Sequence, residues 1–185
     1  MLDRLADVDR AVFEAVQALH WQPLTVLFVV ASAWWLKGLA FTFAAAWLDA
    51  RAGRTIPVAA LAVTACALAA DGVAVGLKHT FDRERPAHNL AGFDPLGATP
   101  DSPSLPSGHA ASAFAAAVLL AVLYPRLRAP ALAVAALVAL SRIYLGVHFP
   151  ADVALGAAVG TAVGLGTAVV LATRLTGRLG AAQAT

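Results

Sequence analysis

Five apolar runs, each close to the length that crosses a bilayer, leave this 185-residue chain few folds to adopt. A spanning helix needs about 20 mostly apolar residues, because unpaired backbone groups find no water in the hydrocarbon core. The runs cover 24–48, 56–77, 108–124, 129–147 and 153–173. Trp21 and Trp47 bracket the first as interfacial anchors do, while Lys37-Gly38 interrupts it and leaves a kink or two re-entrant halves open. Asp71 is embedded in the second. The third is short on its own and reaches spanning length if its helix starts near Ser107. Hydrophobic residues make up 60% of the chain, above the roughly 45–50% of soluble domains, so water is not its main solvent.

Ahead of these runs, residues 3–19 place Leu5, Val8, Val12, Ala15, Val16 and Leu19 at helical spacing with charges largely between them. That pattern predicts an amphipathic helix lying on a surface, and the stretch lacks the apolar core and cleavage site of a signal peptide. The expected fold is all-α: one domain over 1–185, a polytopic membrane helix bundle with an N-terminal surface helix and five transmembrane helices. Residues 78–107, punctuated by Pro and Gly, form a loop. A formal charge of +2 is dispersed at segment ends and forms no basic stripe, so no nucleic-acid partner is expected. The single cysteine, Cys66, lies in an apolar run and has a packing role.

With five crossings, the second-to-third and fourth-to-fifth connections fall on one side. These two connections and the segment ends beside them carry the polar clusters of the chain: Lys78 through Pro86, Pro106-Ser107-Gly108-His109, and Ser141-Arg142 followed by His148 and Asp152. Arg51, Arg54, Arg126, Arg128, Arg174 and Arg178 mark the opposite face, which the positive-inside rule makes cytoplasmic. The expected location is therefore the cell's inner (plasma) membrane, with the clusters facing outward.

Arginine and lysine gathered beside a loop-to-helix start suit a phosphate, since guanidinium forks match its oxygens and helix N-terminal amides attract anions. Ser107 is a good N-cap, Gly108 lets backbone approach closely, and Lys78, Arg85 and Arg142 supply countercharge. His148 and Asp152 stand four apart across Pro150, which suits a carboxylate that fixes one ring nitrogen and frees the other to attack phosphorus. His109 is then placed to protonate the leaving oxygen. Both imidazoles start near a pKa of about 6.5 yet need opposite protonation states, so their surroundings must separate them.

These residues resemble the three-part signature of the type 2 phosphatidic acid phosphatase superfamily: Lys78-x6-Arg85-Pro86, Pro106-Ser107-Gly108-His109 and Ser141-Arg142-x5-His148-x3-Asp152. The resemblance covers roughly 75 residues, and the order and spacing of three motifs make it specific. It implies a metal-independent lipid phosphatase working through a phosphohistidine, with no cofactor. His148 would be the nucleophile, Asp152 its partner, His109 the general acid, and Lys78, Arg85, Ser107, Gly108 and Arg142 the phosphate ligands. The expected partner is a membrane lipid substrate, with no obligatory protein partner. Polyprenyl (undecaprenyl) diphosphate is the first substrate choice, and phosphatidylglycerophosphate or phosphatidic acid the second. A lipid phosphotransferase using the same site and a non-catalytic lipid-binding protein stay open. A vanadate-dependent haloperoxidase fits less well, because those proteins are soluble and much larger.

Further residues carry smaller expectations. Asp71 is expected beneath the site, as a partner to a basic residue such as Lys37, or as lining of a wet crevice. Arg83 is read as a solvent-facing neighbour, Glu84 as locally paired, and Tyr144 and Phe149 as packing aromatics. Gly156, Gly160 and Gly164, spaced by four in line with Asp152, predict close helix packing within the chain.

Overall fold

The computed structural model describes the backbone of residues 2–53 and 55–182, and side chains at 4, 6–33, 40–53 and 55–174. The described residues form eight α-helices: α1 (Leu2–Gln17), α2 (Gln22–Ser32), α3 (Trp34–Arg51), α4 (Val58–Phe81), α5 (Pro86–Asn89), α6 (Gly108–Leu123), α7 (Arg128–Tyr144) and α8 (Pro150–Ala182). Among the described residues there is no strand. Helix starts follow local chemistry, with proline in the first turn of α2 and α5 and the Ser107 side chain capping α6.

The bundle is built around α6, which packs against α4, α7 and α8. Its buried face is mostly alanine, from Ala110 to Ala117, and small side chains let neighbours approach. The three glycines of α8 use that space. A Cβ at Gly156 would collide with the Ser107 carbonyl oxygen, one at Gly160 with that of Ala111, and one at Gly164 would lie 2.9 Å from that of Ala115. The ladder is thus an intrachain seam, backbone against backbone. Outward-facing Phe43, Leu61, Leu68, Val169 and Val170 are exposed, which suits contact with lipid. Among the described residues, three helical stretches are long and apolar enough to cross a membrane, within 58–89, 125–144 and 150–174.

The run over 24–48 is divided. Helix α2 stops at Ser32, Ala33 takes a non-helical conformation with ψ 116°, and α3 starts anew at Trp34. Ser32 accepts a hydrogen bond from Arg142 Nη1, so the end of α2 is tied to α7. Before it, Ala6–Gln17 bends by 118° from Gln22–Ser32, which lays α1 across the end of the bundle as the amphipathic pattern predicts. Lys37 lies outside the described side chains, so the expected Lys37–Asp71 pairing does too.

Two helix ends shape the polar end of the bundle. Helix α4 stops at Asp82, which adopts a left-handed conformation (φ 43°) that aspartate tolerates better than most residues, and the chain turns sharply into Arg83 and Arg85. Helix α7 stops at Tyr144, earlier than the run to 147 suggests. Gly146 there has φ 74°, and a Cβ would lie 2.6 Å from Phe93 Cζ, so only glycine fits the turn that carries His148.

Candidate active site

The polar clusters meet at one end of the bundle, where α4 ends, α6 and α8 begin and α7 ends. Helix α6 is 16 residues long, about 24 Å at 1.5 Å per residue, and starts beside Asp71 rather than beside Lys78. A Cβ at Gly108 would lie 2.6 Å from Asp71 Oδ1. Lys78 is seven residues further along α4, about 10 Å, so α6 starts about two turns of α4 short of Lys78. Asp71 is exposed on α4, not buried among helices, and its carboxylate lies against Gly108.

Asp152 is held in the first turn of α8 with 0% exposure. Its Oδ2 accepts the Phe149 N–H at 2.9 Å, the back-reaching bond of a helix-start box. The same oxygen lies 3.4 Å from His148 Nδ1, and that nitrogen has no closer partner among the described residues. The backbone of His148 is fixed from the other side, because the N–H groups of Val147 and His148 both donate to the Arg142 carbonyl at 3.2 Å.

Arg85 sets the tautomer. Its Nη1 lies 3.2 Å from His148 Nε2, and a guanidinium only donates, so Nε2 is the lone-pair nitrogen and Nδ1 carries the proton towards Asp152. Arg85 is itself anchored on the Val147 carbonyl (2.9 Å) and the Ser102 carbonyl (2.8 Å). Burial pushes the His148 imidazole down to about 4; Asp152 opposes this and the positive charges of Arg85 and Arg142 reinforce it. At neutral pH the ring is uncharged.

Lys78 is buried, and its Nζ donates to Ser102 Oγ at 3.4 Å, the hydroxyl that Arg85 Nη2 meets at 3.3 Å. Arg142 donates through Nη1 to Ser32, and its buried Nε–H has no partner among the described residues, which suits an incoming oxyanion. Ser107 is fully buried; its hydroxyl oxygen accepts the Ala110 N–H at 3.5 Å, which leaves the O–H to donate, and its own N–H donates to the Asp152 carbonyl at 2.9 Å. It caps the α6 start, and the Gly108 and His109 amides follow it. His109 is half-buried in that first turn.

Arg83 corrects the sequence reading. It is not a solvent-facing neighbour: Nη1 meets Asp152 Oδ1 at 2.8 Å, Nη2 meets Asp9 Oδ2 at 2.5 Å, and its guanidinium lies over the Phe149 ring. Asp9 and Ser102 also escaped the sequence reading. Ser102 sits in a Ser/Pro-rich loop with no periodicity, and Asp9 was one of several charges on an amphipathic stretch. Glu84 accepts from Asn89 at 3.4 Å, a local pairing as expected. Tyr144 is a packing aromatic, 1% exposed, whose hydroxyl reaches Trp21 and Thr25.

A family model described as the PAP2 superfamily matches residues 55–175. Decaprenylphosphoryl-5-phosphoribose phosphatase of Mycolicibacterium smegmatis is 49% identical over 96 residues, 52% of this chain and 51% of that protein. Lipid A 1-phosphatase of Rhizobium johnstonii is 35% identical over 100 residues, 52% of this chain and 41% of that protein. The chain thus spans about half the length of these relatives, or less. Among solved structures, a transmembrane PAP2-type phosphatidylglycerolphosphate phosphatase from Bacillus subtilis superposes with a TM-score of 0.68 at 24% identity, covering 89% of this chain and 84% of that one. Aquifex aeolicus LpxE superposes at 0.67 with 26% identity, covering 85% and 92%.

Proposed function

The chain belongs to the PAP2 superfamily, and from that premise we propose that it is a membrane phosphatase that hydrolyses a lipid phosphate through a phosphohistidine on His148. One observation carries this reading: His148 presents a lone pair at Nε2 beside Arg85 while Nδ1–H faces Asp152. Nε2 attacks phosphorus, the bond to the leaving oxygen breaks, and His109 gives that oxygen its proton. Lys78, Arg85, Arg142 and the amides at the start of α6 hold the phosphoryl oxygens as charge develops. A water molecule then gives a proton back to His109 and attacks the phosphohistidine, releasing inorganic phosphate and restoring neutral His148. Asp71, beside Gly108, lies behind the α6 amides that hold the phosphate; unchanged turnover in Asp71→Asn would remove it from the site.

The substrate we propose is a polyprenyl lipid with a terminal phosphate. The name of the Mycolicibacterium relative supports this, since its substrate joins a decaprenyl chain to a phosphorylated ribose. Polyprenyl diphosphate is the second form of the same class, favoured by a site that faces out of the cell. Arg51, Arg126, Arg128 and Arg174 are exposed at the opposite end of the bundle, which supports that orientation.

The test is phosphate release by the purified protein from polyprenyl diphosphate, polyprenylphosphoryl-phosphoribose and phosphatidic acid, with chelator present. Turnover that His148→Ala abolishes, with radiolabelled phosphate trapped on the wild-type protein at mildly alkaline pH, is the expected result. Turnover that appears only with added divalent metal overturns the histidine mechanism. Orientation is read by a membrane-impermeant maleimide on intact cells, in a Cys66→Ala background: Ala98→Cys labels and Ala52→Cys does not.

A further inference from the structure

The His148–Asp152 pair is braced from outside its own helix. Asp9, on the largely exposed helix α1, is 8% exposed and works in two directions. Its Oδ1 accepts the Ala151 N–H at 2.7 Å, capping the start of α8, and its Oδ2 takes Arg83 Nη2 at 2.5 Å. Arg83 passes the contact on, since Nη1 donates to Asp152 Oδ1 at 2.8 Å. Phe13 of α1 locks the same joint, with ring centroids 5.2 Å from Phe149 and 5.3 Å from Phe93.

Resting on the phosphohistidine reading above, we propose that Asp9 and Arg83 are positioning residues for catalysis: through them the surface helix α1 fixes the Asp152 carboxylate and sets how much of its charge reaches His148. Three groups share one line of charge. Arg83 divides its single positive charge between two carboxylates, so Asp152 keeps part of its negative charge for the imidazole. The two ends of the line then act in opposite senses. Removing the charge of Asp9 leaves Arg83 wholly to Asp152, which weakens the pull on Nδ1–H and makes Nε2 a poorer base. Removing the charge of Arg83 leaves Asp152 bare beside His148 and makes the imidazole easier to protonate. The other charged groups facing His148 are Arg85 from the α4–α5 connection and Arg142 from α7. Lys78 from α4 belongs to the same cluster, coupled to Asp152, Arg85 and Arg142, and His109 begins α6. All of them stay constant across the variants.

The experiment compares wild type, Asp9→Asn, Arg83→Gln, Arg83→Lys and His148→Ala in phosphate release from a short-chain phosphatidic acid across pH, with thermal unfolding in detergent as the fold control. Asp9→Asn should lower kcat about tenfold because Nε2 becomes a poorer base, and Arg83→Gln about 100-fold because the Asp152 carboxylate loses the donor that holds it in place, with KM within about threefold because neither side chain joins the phosphate ligands. Arg83→Lys, which keeps the charge on Asp152, should recover most of that loss. The acid limb should move down in Asp9→Asn and up in Arg83→Gln, by about half a pH unit or more. A merely structural brace lowers stability without moving the limbs apart. An unshifted profile, or a fall in kcat that follows only loss of folded protein, overturns the proposal. If His148→Ala retains turnover, the phosphohistidine reading itself fails. If His148→Ala is inactive while Asp9→Asn and Arg83→Gln match wild type, the brace alone fails.

Discussion

Asp49 and Asp152 sit at opposite ends of the bundle, each with 0% exposure, in unlike company. Asp49, near the end of α3, accepts the Ala59 N–H at 2.7 Å and the Ala60 N–H at 3.4 Å at the start of α4, and the Tyr124 hydroxyl at 3.1 Å beyond α6. Together these three donors tie three helices at their ends. Asp152 also accepts a helix-start amide, but its remaining contacts are a guanidinium and an imidazole that can change protonation. A buried acid in a membrane bundle is thus no sign of chemistry by itself. Among the contacts described, Asp152 is set beside an imidazole backed by cations, which gives the carboxylate something to steer, whereas those of Asp49 hold helix ends together.

The comparison breaks most sharply at the histidine. His148→Ala should lower kcat by about 10⁴-fold or more while the protein stays folded, as expected when a nucleophile is removed. Asp152→Asn should lower kcat by roughly 10²- to 10⁴-fold, because the amide holds the ring without its charge. Asp49→Asn is the counterpart: turnover per folded molecule within about threefold of wild type, and stability lower by about 1–3 kcal/mol from unmatched buried donors. If Asp49→Asn instead lost turnover and kept its melting temperature, the two acids would not be different in kind. Stability alone separates two glycines of α8. Gly160→Ala drives a methyl group into the Ala111 backbone and should cost about 1–3 kcal/mol, whereas Gly166→Ala, with nothing within 4 Å, should be neutral or stabilising by up to about 1 kcal/mol.

The smallest effect expected is a titration. Burial depresses the folded-state pKa of His148 to about 4, so the ring stays neutral above that value and gains a proton only below it. The stability linked to the neutral ring is full above the unfolded value of about 6.5 and falls away as pH drops through that value towards about 4. Carbon–proton spectra of labelled histidine, with His148→Ala for assignment, should show one ring titrating near 4. A His148 signal that titrates near 6.5 would put the ring in water and remove the contrast with an exposed imidazole.

What the sequence makes legible has a physical pattern. Helices were readable because apolar runs of that length allow nothing else in lipid, and the signature residues were readable because their order and spacing are fixed by one shared site. The glycine ladder was readable because its spacing matches a helical row. Arg83 and Asp9 were not, since their contact joins positions 74 apart through a fold that local spacing does not encode. The break at Ala33 was illegible for a similar reason: its neighbour Ser32 is tied to Arg142, 110 residues on. The depth at which α6 starts was hidden too, because it depends on Gly108 meeting Asp71 on another helix.

The seam between α6 and α8 also bears on traffic. Two backbones that leave no space for a methyl group at Gly156 or Gly160 have no slack with which to part for a hydrocarbon tail. Any greasy chain whose phosphate reaches His148 must therefore travel around this doorpost.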